Sequence, residues 1–268
     1  MLLSKVLCTI RYKRTRGTFQ HLTTKKRPTG IPPDRITLML VHPWDAPNHD
    51  DEWRAVLQES GFGQLIAPGG RDRELPVVVP THFTFDGGRS VELHLAKPNP
   101  IWRALAERPR ALLTVVTDYV YVSATINADP GQDPALAVPT SYYAAVHVEV
   151  DVEIIDDPSA KAAILTRALS HFEPAHSPRA TRGVAGVGDR LLLENIRGLC
   201  LTITGVHAKF KYGGNKTVQH RREIAAALQA RNGSMDASAS RRMLSRLPGP
   251  TDAWPGRPQR PDSHPRSL

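Results

Sequence analysis

Along most of this chain the apolar positions follow one of two periods. In Asp50 to Ser60 (DDEWRAVLQES), Trp53, Val56 and Leu57 recur at helical spacing behind three acids, which suit the positive end of a helix dipole, so a first helix is predicted there. The runs FGQLIA (62–67), LPVVVPTHFTF (75–85), SVELHLA (90–96), RALLTVVTDYVYVSAT (110–125), SYYAAVHVEVDVEII (141–155) and IRGLCLTITGVHAKFKY (196–212) are β-branched or alternate apolar with polar, and Gly, Pro or Asp separates them. They predict strands. Asn99-Pro100 and Asp157-Pro158 each place a capping side chain before a proline that suits the first helical turn. They open helices in NPIWRALAER and DPSAKAAILTRALSHFE, and HRREIAAALQARNG is a further helix ending on a glycine. The pattern predicts an α+β, mainly β fold: an antiparallel barrel or meander with peripheral helices and no internal repeat.

Charge marks off the ends. The 268 residues carry a net charge of +9, but basic residues outnumber acids nine to one in 1–38 and six to three in 233–268, whereas 39–232 holds 20 bases and 22 acids. A protein that grips phosphate backbones carries its basic stripe on the folded surface, so direct nucleic-acid binding by the core is not expected, and the basic ends are the only candidates for it. Residues 1–38 read as a transit peptide, a nucleic-acid-binding arm, or sequence upstream of the true start; Met39, just before the first patterned segment, favours the third. Residues 233–268 are rich in Pro, Ser, Gly and Arg and are expected to be disordered. Both ends are expected to be dispensable for folding of a 39–232 domain. No apolar run approaches the ~20 residues that span a bilayer, and a cytoplasmic protein is expected. Cys8 and Cys200 form no CxxC pair, and neither a disulfide nor a metal site is indicated.

Few residues announce chemistry. A strand ending at Ala96, then Lys97, then a helix opened by Asn99 brings an ammonium group and several unpaired backbone N–H groups near one spot, the outline of an anion site; a solvated lysine beside a helix cap is the alternative. His82, His94 and His147 lie in alternating strands and face either a ligand or a local partner. Lys209 and Lys211 flank Phe210 and share one strand face. GVAGVG (183–188) follows a basic loop, not a strand, and reads as a flexible loop and not a dinucleotide fingerprint. No catalytic residues are identified, since no Ser-His-Asp, HExxH or comparable spacing occurs. The candidate helices are separated by strands, so no helix-turn-helix is expected.

Several segments occur together in a specific order: FGQLIA (62–67), PTHF (80–83), HLAKPNPIWR (94–103), YVYVS (119–123), VPTSYYAAVHV (138–148), IRGLCLTI (196–203) and AKFK (208–211). On these the chain resembles the PaiB family of FMN-binding negative transcriptional regulators over roughly residues 39–232. The resemblance implies the split β-barrel shared with pyridoxamine-phosphate-oxidase-like proteins, a homodimer, and FMN at the dimer interface. It implies that Lys97 and the helix from Asn99 hold the phosphate, that Thr81 and His82 line the flavin, and that Ser123 and Lys211 stand near the cleft. Tyr121 and Tyr142 are candidates for the aromatic faces an isoalloxazine prefers.

The chain departs from the family where Ser123-Ala124-Thr125-Ile126-Asn127 replaces a Ser-Pro followed by Trp-Tyr. It departs again where Ser141-Tyr142 replaces Trp-Asn and where Tyr212-Gly213-Gly214-Asn215 replaces Leu-Ser-Gln-Asn. The resemblance implies that losing these aromatic and polar groups leaves the fold intact and weakens FMN retention. Three functions therefore stand side by side: an FMN-binding regulator, an oxidoreductase using FMN or a deazaflavin, and a flavin-free barrel acting through protein contacts.

Overall fold

The computed structural model describes residues 38–248 apart from 183, 185 and 186. Helix α1 (Asp50–Ser60) begins with Asp50, Asp51 and Glu52 at its positive end and stops at Gly61, whose φ of 54° is left-handed. Strands β1 (Phe62–Ala67), β2 (Val77–His82), β3 (Thr84–Phe85) and β4 (Ser90–Ala96) follow, then α2 (Ile101–Glu107). The long strands β5 (Arg110–Val122) and β6 (Thr140–Ile155) flank the short α3 (Ala124–Asn127). Helices α4 (Pro158–Phe172), α5 (Pro178–Arg182) and α6 (Val187–Glu194) lead to β7 (Ile196–Lys211), and α7 (Val218–Arg231) and α8 (Asp236–Ser245) come last.

The seven strands form one antiparallel sheet in the order β2-β1-β5-β6-β7-β4-β3. Its two edges are consecutive in sequence, because only Phe83 separates β2 from β3. The Phe83 N–H donates to Gly61 O at 2.8 Å and its ring is buried, so the sheet rolls up until its edges meet. This is the split barrel expected, closed as β-sheets must be if no strand edge is to stay exposed. Leu65, Leu93, Leu113, Val146, Val148 and Leu201 fill the interior from alternate positions. Trp53, Val56 and Leu57 of α1 complete that core.

Strand β5 carries an irregularity that shapes one end of the barrel. Its register with β6 shifts between Thr117 and Val120, and Asp118 adopts a left-handed φ of 54°. A bulge adds one residue to a strand and re-aims the side chains around it. Here the Asp118 carboxylate turns inward, where it accepts from Arg242 Nε at 2.7 Å and from the Tyr212 hydroxyl at 3.5 Å, while Tyr119 points out.

Several expectations are corrected. Disorder from residue 233 is overturned: α8 packs on α7 with Ala239, Ser240 and Met243 fully buried, so the folded body extends beyond 232. The run 236–245 has few aliphatics, and its anchoring is ionic. Besides the Asp118 contact, Arg242 Nη2 reaches Glu59 at 2.7 Å, Arg246 pairs with Glu52, and Arg246 Nη2 donates to Ala46 O at 2.6 Å. A pair of helices joined by a short turn is therefore present after all, across residues 232–235, but Arg242 and Arg246 are spent on the barrel. The left-handed residue ending α7 is Asn232, one position before the glycine expected there. Helix α2 starts at Ile101, after Pro100, and SATIN forms the turn α3 in place of a strand end. The expectations for residues 1–37 and 249–268, and most of that for GVAGVG, lie outside the described residues.

Arg242→Ala is expected to destabilise the fold by about 3–5 kcal/mol, because it leaves the Asp118 carboxylate buried without its cation. Urea denaturation of wild type and variant measures this; a loss below about 1 kcal/mol would mean that apolar contacts alone hold α8.

Candidate functional site

Outside the barrel wall, at the seam where its edges meet, lies a cavity of about 470 Å³. That is within the range of small-molecule sites. Gly61, Phe62 and His82 form one side and His94 on β4 another, and the second half of α4 covers it with Leu165, Ala168, Leu169, Phe172 and Glu173. Strand alternation explains the wall: Val91, Leu93 and Leu95 point inward, which turns His94 outward. The His82 and His94 rings meet edge-on with centroids 5.3 Å apart, and His82 meets Phe172 in the same way at 5.2 Å.

Helix α4 is held over the seam by named contacts. Asp157 caps it by accepting from Ala160 N, as its sequence predicts. The buried Lys161 ammonium donates to Leu193 O at 2.5 Å and Ile196 O at 3.2 Å. Arg167 makes a two-pronged ion pair with Glu92 of β4, at 2.5 and 2.8 Å. At its far end Phe172 lies so close to Gly61 that a Cβ at 61 would stand 2.8 Å from the ring.

Lys97 follows β4 directly and is exposed. Three of the amides expected around it are already bonded. Lys97 N donates to Asn195 O and Asn99 N to Ala96 O; Ile101 N donates to Asn99 Oδ1, and Pro98 and Pro100 have no N–H to give. Asn99 is thus spent as a local cap, and at this corner the Lys97 side chain is the available donor of positive charge. Its neighbourhood is already ionic: Arg197 forks onto Asp156, and that hydrogen bond, with help from the nearby Lys161 and Lys97 charges, holds the Asp156 carboxyl below its ordinary range.

The remaining candidates lie elsewhere. Thr81 points into the barrel, buried, with its hydroxyl on His82 O, and Tyr142 is a core residue at 2% exposure whose hydroxyl contacts Asn127. Neither is a cavity wall; the alternation that turns His82 outward turns Thr81 inward. Ser123 caps α3, accepting from Ile126 N. Lys211 donates to Thr140 Oγ1, and Tyr121 is half exposed on the outer face of β5. This second group gathers near the far end of the 16-residue β7, opposite the end at which Lys97 bonds Asn195. The departing segment after Lys211 is built into the fold: Gly213, at φ 68°, lets the backbone pass the Tyr142 ring, where a Cβ would come within 2.6 Å of its hydroxyl. Sequence reasoning missed Phe62 and Phe172. A signal for them existed in the apolar stripe of α4 and in the glycine preceding Phe62.

Among the described residues no helix is long and apolar enough to cross a membrane, and no cluster of three or more His, Cys, Asp or Glu is arranged to hold a metal. Residues 39–205 match the family model described as "Putative FMN-binding domain". Two solved structures are similar in shape. The flavocytochrome Anf3 of Azotobacter vinelandii is 20% identical, with 63% of this chain and 71% of that one covered and a TM-score of 0.49. The FAD and heme binding protein of Mycobacterium smegmatis is 22% identical, with 67% and 78% covered and a TM-score of 0.49. Comparison with curated proteins finds no match.

Burial holds three imidazoles toward the neutral form. His94 is lowered from 6.5 by desolvation and then by His82, His147 by desolvation and then by His207, and His220 by desolvation and then by Lys216. The unfolded chain therefore takes up protons at higher pH than the folded one. Their contribution to stability is complete above 6.5 and is lost as the pH falls through the folded values. The urea midpoint is expected to drop between pH 7.5 and 5, and His94→Phe to flatten that slope; an unchanged slope in the variant would remove His94 from the group.

Proposed function

Because the chain belongs to the PaiB-like family described as "Putative FMN-binding domain", we propose that it binds FMN, with the flavin ring in the cavity beneath α4 and the phosphate at Lys97. The observation that carries this reading is the cavity itself. Its walls are apolar and aromatic, with two imidazoles converging from β2 and β4. Lys97, the first residue past the end of β4, stands three residues from His94, about 10 Å at the rise of a strand, so a cation lies beyond the ring site along the same stretch of chain. A planar ring between apolar faces, a few polar groups and a separate phosphate cation is the donor set a flavin mononucleotide requires. The bound flavin would supply electron or hydride transfer, while the protein binds and orients it and excludes water.

A homodimer belongs to this proposal. Phe62, Val116, Tyr119 and Tyr121 are each more than half exposed on the outer faces of β1 and β5, an unusually apolar surface continuous with the cavity through Phe62. A two-fold pair covering it would let Tyr121, Ser123 and Lys211 of one protomer serve the flavin of the other, in keeping with their separation from Lys97 within one chain. The regulatory role is proposed on the same footing: a cytoplasmic flavin-binding repressor that leaves operator reading to other components. Its acidic 39–232 body and the inward commitment of Arg242 and Arg246 support this. Retention of duplex DNA at physiological salt by the protein lacking residues 1–37 would overturn it.

Lys97→Ala is expected to weaken FMN binding by about 1.5–3 kcal/mol, tenfold to over a hundredfold in Kd, and to leave riboflavin nearly unaffected. Titration of both ligands, followed by flavin fluorescence, decides the matter: equal losses mean a disturbed fold, and no loss for FMN removes Lys97 from the site. Wild type is expected to sediment as a dimer at micromolar concentration and Val116→Arg as a monomer. A flavin-loaded wild-type monomer would refute the shared site.

A further inference from the structure

His94 has an unusual environment that the phosphate and dimer arguments leave unused. Its Nδ1 is sealed from solvent and has no hydrogen-bond partner, although the ring is part of the cavity wall. No hydrogen bond to its Nε2 is formed among the described residues, and that edge is not sealed. The ring therefore buries one nitrogen and presents the other to the cavity. Burial, reinforced by His82, keeps it neutral, so it carries a single proton that must sit on one nitrogen. Placed on Nδ1, the proton would be an orphaned buried donor, which proteins rarely tolerate; placed on Nε2, it leaves only a lone pair unpaired.

We propose that His94 is the ring-recognition residue of this cavity, donating Nε2–H to an acceptor atom on the edge of a flat, uncharged heteroaromatic ring. The inference rests on the reading of the cavity as the flavin ring site and names which of its residues reads the ring. The carbonyl oxygens and unprotonated ring nitrogens of an isoalloxazine are acceptors of the kind required. His82 has a different role: its ring lies edge-on to both His94 and Phe172 and serves as wall. The setting of His94 is largely apolar, since Leu165, Leu169 and Phe172 offer no competing acceptor and Glu173, just past the end of α4, is the acidic side chain of the lining.

The test uses full-length protein with riboflavin and FMN as probes, and two variants. His94→Phe keeps the ring volume and removes the donor; His94→Gln keeps a donor. In His94→Phe both ligands are expected to bind about tenfold more weakly, in contrast to Lys97→Ala, which affects FMN alone. In the infrared difference spectrum the carbonyl stretch of the bound flavin is expected to move to higher wavenumber in His94→Phe and to return toward the wild-type position in His94→Gln. Unchanged affinity and an unmoved carbonyl band in His94→Phe would overturn the assignment while leaving the flavin site standing. Should His94→Phe fail to fold, a wild-type carbonyl band at the position of free flavin in an apolar solvent would overturn it equally. Failure of the wild type to bind either ligand would end both readings together.

Discussion

The constraint on which this structure depends is the meeting of its two sheet edges across a single residue. With β2 and β3 at opposite ends of the strand order and only Phe83 between them, the sheet has no freedom to remain open. Burial of the Phe83 ring and its backbone bond to Gly61 fix the seam in place. Everything of chemical interest follows from that closure. It brings the outward-facing His82 of β2 within ring contact of the outward-facing His94 of β4, residues from strands that are not neighbours in the sheet order, and creates the trough that α4 roofs.

A second layer of organisation runs through Asp118. A carboxylate in the middle of a β-branched run is locally unfavourable, and the left-handed backbone there adds strain of the order of 1–3 kcal/mol. The bulge makes sense once α8 is present. The inward carboxylate binds Arg242, and the same local twist turns Tyr119 to the surface, beside Tyr121. Burial alone would disfavour a charged Arg242, but the hydrogen bond and field of Asp118 hold its pKa above the ordinary value. One irregular residue thus ties the last helix to the barrel and shapes the outer apolar face.

Much of the fold was legible in the sequence because it is written in local patterns. The alternation in SVELHLA and in VHVEVDVEII, the acids opening α1 and the Asp157-Pro158 cap each correspond to an element the structure contains. Helix α8 was not legible, since DASASRRMLS has little apolar periodicity and is held by arginines whose acidic partners, Asp118, Glu59 and Glu52, lie more than a hundred residues away. The site was legible in part. His82 could be assigned to a strand and Lys97 to the turn after one, but Thr81 and Tyr142 could be separated from the candidate site only by knowing which strand face is interior. Three of the amides near Asn99, promising as a sequence motif, are consumed by local turns and by a partner, Asn195 O, from a distant segment.

The contact between Gly61 and Phe172 couples two positions that share no strand or helix. A methyl group at 61 would lie 2.8 Å from the Phe172 ring, and the backbone there is left-handed. A side chain at 61 thus requires the half-exposed Phe172 ring to swing aside or give way to a smaller residue, and either would open the end of the roof. In a lineage of such barrels the two positions would be inherited as a unit, and drift at one would leave a compensating mark at the other. Related sequences lacking the glycine should therefore be those in which the mouth of the cavity has been rebuilt to admit a different guest.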